Sequence, residues 1–108
     1  MVTRIMDLFP MISMHVYKQG SDVLIGACDE ELLGKSFSEG KFHLSVDKKF
    51  YDGERVNVAI LRKYLAEATI ANLVGEETVK CAVGLDLVSE DCILRIDGVP
   101  HAQMVRML

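Results

Sequence analysis

"CILRIDGVPHAQMVRM", residues 92–107, is the stretch whose reading decides the fold class. Two apolar runs flank Asp97-Gly98, and that dipeptide suits a type I′ turn, which needs positive φ at both central positions. The stretch therefore predicts a two-residue β-hairpin with Ile96 opposite Val99, Leu94 opposite His101 and Cys92 opposite Gln103. Arg95, Pro100, Ala102, Met104 and Arg106 then share the opposite face. Pro100 has no amide hydrogen, so its strand is expected at an edge or with a bulge. His101 and Gln103 stand as polar intruders among Leu94, Ile96, Val99 and Val105.

Outward from that hairpin, the other end of the chain repeats the pattern. "MISMHVY" (11–17) and "DVLIGAC" (22–28) are separated by "KQGS" and predict a second hairpin. The second run is apolar on both faces and suits a central strand, while His15 falls on the more polar face with Ser13 and Tyr17. In "DEELLG" (29–34) Asp29 is placed to cap a single helical turn that Gly34 ends. "KFHLSV" (41–46) alternates, with Phe42, Leu44 and Val46 inward and His43 and Ser45 outward. Residues 47–56 read as a turn.

Between the hairpins the period changes. Asn57 is a good N-cap for a helix over 58–74, with Leu61, Tyr64, Leu65, Ala68 and Ala71 on one side and Asn72 falling within that apolar side. Gly75 ends this helix, and 76–84 predicts a second one with Val79, Ala82 and Val83 inward and Cys81 as a packing residue. Strands first, helices in the middle and strands last predict an α+β fold: a small, mostly antiparallel sheet built from the N- and C-terminal hairpins and packed with two central helices.

A chain of 108 residues, 50% hydrophobic and 26% charged, suits one domain over 11–108, preceded by residues 1–10 as an extension that is either disordered or docked through Ile5, Met6, Leu8 and Phe9. The formal net charge of −4 gives no global field for a polyanion. Cys28, Cys81 and Cys92 are odd in number and contain no C-x-x-C pair, which argues against a disulfide framework and a zinc site and predicts a reducing, cytoplasmic setting. The opening residues hold no run long enough for a signal peptide or membrane span. No phosphate-binding loop, dinucleotide fingerprint, zincin or nucleophile-elbow motif occurs, so no cofactor and no metal is expected.

Three functional readings follow. In the first, Asn72, His101 and Gln103 line one polar recognition site of a non-enzymatic binding module, for a small polar ligand or a protein partner, with helix 58–74 packed over the C-terminal hairpin. The C-terminal edge strand would equally pair with a second copy or a partner. Against this stands the ordinary reading of buried polar side chains as structural hydrogen-bonders. In the second reading Cys28 and His101 form a nucleophile–base pair of a small hydrolase or transferase, although Asp29, Glu30 and Glu31 disfavour a thiolate at Cys28. In the third, an accessory RNA-binding protein uses Arg95 and Arg106 with Lys35.

Three separated motifs, "ACDEELLGK" (27–35), "ATIANLVG" (68–75) and "RIDGVPHAQ" (95–103), resemble those of an archaeal protein family catalogued as domain of unknown function 424. The likeness runs over about residues 14–107. The motif positions on this chain include Cys28, Asp29, Gly34, Lys35, Asn72, Gly75, Gly98, Pro100, His101 and Gln103. The resemblance implies an archaeal cytosolic protein and adds Asp29 and Lys35 to the ligand- or partner-binding candidates; it carries no activity, substrate or cofactor.

Overall fold

A computed structural model describes residues 11–106; the expectations for residues 1–10 lie outside the described residues. Among the described residues eight strands are laid down as β1 (Ile12–Gln19), β2 (Asp22–Asp29), β3 (Ser36–Glu39), β4 (Phe42–Ser45), β5 (Glu54–Val56), β6 (Ile70–Val74), β7 (Leu94–Ile96) and β8 (Val99–Val105). The helices are α1 (Lys48–Tyr51), α2 (Val58–Leu65) and α3 (Glu76–Gly84). Six strands form one sheet in the order β5-β1-β2-β6-β8-β7, and β3 and β4 form a separate two-stranded sheet. The fold is α+β, with a mostly antiparallel sheet in which β2 and β6 are parallel.

The expected helix over 58–74 is corrected: it stops at Leu65, and residues 70–74 are the strand β6. Asn57 caps α2 as its sequence suggests, its side chain accepting from Ile60 N at 2.9 Å. The remainder is an apolar run whose periodicity fits a helix face and a fully covered strand alike. Tertiary pairing resolves it. Thr69 N donates to Val23 O at 2.9 Å and Val23 N donates to Thr69 Oγ1 at 2.9 Å, starting a parallel ladder that runs from Leu24↔Ile70 to Cys28↔Val74. Ala71 and Leu73 are thereby buried against the helices, and Val74 on the other face.

Alternation along the strands sorts side chains onto two faces. One face carries Ile12, Met14, Ile25, Ala27, Ala71, Leu73, Ala102 and Met104 against Leu61 and Leu65 of α2 and Val79 and Ala82 of α3. On the other face, among the described residues, the β3–β4 hairpin and α1 cover one end, where Leu44, Val46 and Tyr51 pack on Cys28, Val74 and Ile96. Phe42, expected inward, is half exposed. The turn-like stretch 47–56 contains α1, capped by Asp47 accepting from Lys49 N at 3.0 Å, and β5.

Asp29 does not cap the helical turn that follows it. As the last residue of β2 it points to the helix layer, and its carboxylate accepts from Glu77 N (3.2 Å), Thr78 N (2.9 Å) and Thr78 Oγ1 (2.8 Å). It thus caps α3 from another element, beside Gly75, where an added Cβ would lie 2.4 Å from the Asp29 carboxyl carbon. At the C-terminal hairpin Asp97 and Gly98 have φ of 52° and 80°, as a type I′ turn requires. Pro100 causes no bulge and is not on the outermost strand, because β7 lies outside β8. Its nitrogen lies one residue past the Val74↔His101 end of the β6–β8 ladder, and its carbonyl accepts from Gly75 N at 2.9 Å. Cys92, expected opposite Gln103, lies instead in a 3-10 turn (Glu90–Cys92) outside the strand pairing.

Candidate functional site

Register aligns residues in rows across the half-open sheet face. Tyr17, Leu24, Ile70 and Val105 form one row, His15, Gly26, Asn72 and Gln103 the next, and Ser13, Cys28, Val74, His101 and Leu94 a third. The β3–β4 hairpin and α1 cover the middle of the third row. The second row is covered at Gly26, where the Phe50 ring sits so close that a Cβ would lie 2.6 Å from it, and partly at His15, which stacks on Tyr17. Tyr17 stacks between His15 (4.0 Å) and Phe50 (5.4 Å) and donates its hydroxyl to Phe50 O at 2.8 Å. Leu24, Ile70, Asn72, Gln103 and Val105 stay at least partly open to solvent, Val105 being 69% exposed.

At the centre of this open area two of the candidates meet. Gln103 Nε2 donates to Asn72 Oδ1 at 2.7 Å, between directly opposed residues of β6 and β8. Among the described residues neither the Asn72 amide nitrogen nor the Gln103 carbonyl oxygen makes a further side-chain hydrogen bond, so the pair presents a free donor group and a free acceptor side by side. His101 lies on the same face, one row along, half-buried against Leu94; burial lowers its pKa below the ordinary value. A cavity of about 330 Å³ between the 3-10 turn and β8 is lined by Cys92, Leu94, His101, Ala102 and Gln103.

The backbone beside this pair is open as well. In β8 the carbonyl of Pro100 and the amide of Arg106 bond toward β6, so the groups of alternate residues, Gln103 and Val105, point the other way. β7 pairs with β8 only through His101, so among the described residues no strand meets Gln103 and Val105 on that side.

The other candidates are dispersed. Cys28 and His101 are each in register with Val74, on opposite sides of it, which sets their backbones about 10 Å apart, two strand spacings. Cys28 is fully buried, and burial, with Asp29 adding to it, pushes its thiol up to about 12. Asp29 faces the helix layer, away from Asn72 and Gln103. Lys35 is exposed on the loop into β3, where its carbonyl accepts from Val46 N at 2.9 Å. Arg95 pairs with Glu76 at 2.9 Å, and Arg106 donates to Ala66 O at 2.8 Å. Among the described residues no cluster of three His, Cys, Asp or Glu side chains is placed to hold a metal, and no helix is long and apolar enough to cross a membrane.

The polar centre that the sequence did not announce is Arg55. Its guanidinium donates to Glu30 (2.7 Å), Asp52 (2.7 Å), Gly53 O (2.9 Å) and Ser13 Oγ (3.1 Å), and the buried Ser13 hydroxyl donates to Tyr51 O at 2.8 Å. Asp52 and Arg55 are three apart in the sequence and offered a local cue; Glu30 and Ser13 come from elsewhere in the chain and offered none. This cluster ties β5 and α1 to β1.

Fold and site together define an α+β protein with a helix layer on one sheet face and an amide pair on the uncovered part of the other. A family model described as "Protein of unknown function (DUF424)" matches residues 17–107, and the chain belongs to that family. It is also similar to an uncharacterized conserved protein from Methanopyrus kandleri, known from a crystal structure, with 25% identity and a TM-score of 0.70 over 91% of this chain and 96% of that one. No curated protein matches the sequence.

Proposed function

We propose that the protein is a non-enzymatic binding module that recognises a partner through the open sheet face around Asn72 and Gln103. The observation that carries this reading is the 2.7 Å amide pair, exposed beside an apolar row of Leu24, Ile70 and Val105 and beside backbone at Gln103 and Val105 that no strand meets among the described residues. A free amide donor group next to a free carbonyl acceptor is complementary to a peptide group, and the flanking apolar row supplies burial. The favoured ligand is therefore a polar, amide-bearing one, foremost a partner's extended backbone, with His101 as a neutral contact at the rim; a second copy pairing along the same edge is the homodimeric form of the same mode. A reducing cytoplasm suits the three free cysteines, and the Methanopyrus likeness supports an archaeal setting.

The cysteine-hydrolase alternative is disfavoured by the separation of Cys28 from His101 and by a thiol raised to about 12. The RNA-binding alternative is less supported, since Arg95 pairs with Glu76 and Arg106 bonds to Ala66 O. The test is native mass spectrometry of protein recovered gently from its own cells. Wild type is expected to carry a partner that Asn72→Ala and Gln103→Ala each lose, with stability changed by no more than about 0.5 kcal/mol. A partner retained by both variants, or a large stability loss without a binding defect, would return the pair to a structural role.

A further inference from the structure

Among the described residues the opposite edge of the sheet is uncovered over half its length. β1 runs to Gln19, but β5 pairs with it only from Ile12 to Met14. Gln19↔Asp22 closes a two-residue turn, and Val23 N bonds toward β6, so the odd-numbered residues of β1 bond to β2 and the even-numbered ones face outward. Ile12 and Met14 face β5, whereas the outward N–H and C=O groups of Val16 and Lys18 meet no partner among the described residues. Beside them a groove of about 630 Å³ is lined by Met14, Val16 and Tyr64, with Lys18 at one end and Glu54, in register with Met14, at the other.

We infer that this edge of β1 is a strand-addition site for an extended segment of a partner protein carrying an acidic residue two positions before an apolar one. A segment entering in line with β5 runs antiparallel to β1 and pairs first with Lys18 and then with Val16. Directly opposed residues share a face, so the residue opposite Lys18 meets its ammonium and the residue opposite Val16 enters the groove against Tyr64. Glu54 at the far end opposes the reverse polarity. A second copy fits poorly: the registers that match outward groups place either Lys18 on Lys18 or Gln19 of one copy onto Gly53 of the other, and Gly53 already lies against Met14 and His15.

The experiment is amide hydrogen exchange and NMR titration on the full chain. In the free protein Val16 and Lys18 are expected to exchange far faster than Tyr17; protection at both overturns the proposal, because the edge is then already covered, whether by residues 1–10 or by a second copy. The probe is an acetylated, amidated Thr-Thr-Thr-Glu-Thr-Val peptide, which ends opposite Val16, short of Gly53, and is expected to shift the Val16 and Lys18 amides saturably. Lys18→Glu should weaken it about tenfold, and replacing the peptide's glutamate by lysine should restore binding to that variant. Equal binding of both peptides to wild type, shifts centred on Asn72 and Gln103, or no saturable shift would each overturn it.

Discussion

His101 is the residue at which burial and titration are most directly linked. Burial against Leu94 lowers its pKa, and the unfolded chain returns it to about 6.5. Above that value both states are neutral there and the folded state keeps its full stability. As pH falls below about 6.5 the unfolded chain takes up a proton that the folded one refuses, so stability declines toward the folded-state value and then levels. Urea unfolding at pH 7.5, 6.5 and 5.5 should show this decline, and His101→Gln should flatten part of it. An NMR titration placing the ring at or above the ordinary histidine value would contradict the argument.

At the scale of elements, Asp29 links a strand to a helix it does not belong to. Its carboxylate satisfies two amides and one hydroxyl at the start of α3, so Asp29→Ala leaves buried donors without partners and should cost about 2–4 kcal/mol. Asp29→Asn keeps the shape and one acceptor oxygen and should cost less. Denaturant midpoints at neutral pH decide it; a loss under about 0.5 kcal/mol for the alanine variant would mean that water replaces the cap. This link was hidden in the sequence, where Asp29 stands next to Glu30 and Glu31 and reads as a local cap. Gly75 shows the same ambiguity: it reads as a helix end, yet it stands at φ 109° before α3, in the space that the Asp29 carboxylate needs.

Across the whole molecule the sheet divides two apolar cores of unequal support. Leu73 lies on a central strand under two helices, where neighbours cannot close a void, so Leu73→Ala should cost about 3–5 kcal/mol in global unfolding. Leu44 belongs to the two-stranded hairpin over one end of the other face, which can settle onto a smaller side chain. Leu44→Ala should cost about 2 kcal/mol and raise hydrogen exchange in β3 and β4 before β6. Equal costs, or loss of protection in β6 from the Leu44 variant, would show that the two cores unfold as one.

Features governed by neighbours in the chain were legible from the sequence alone. The Asp97-Gly98 turn, the Asn57 cap and the alternation in β1 and β8 each depend on a few adjacent residues, so their patterns determine them. Tertiary structure alone decided the segment "ATIANLV", because an apolar run satisfies a helix face and a sheet interior equally and only pairing with β2 distinguishes them. That decision moved Asn72 from a helix to the strand beside Gln103. The candidate pair was visible as two polar residues out of place; their hydrogen bond exists because β8 lies antiparallel against β6 in a register that opposes them, a relation set by packing across the whole sheet.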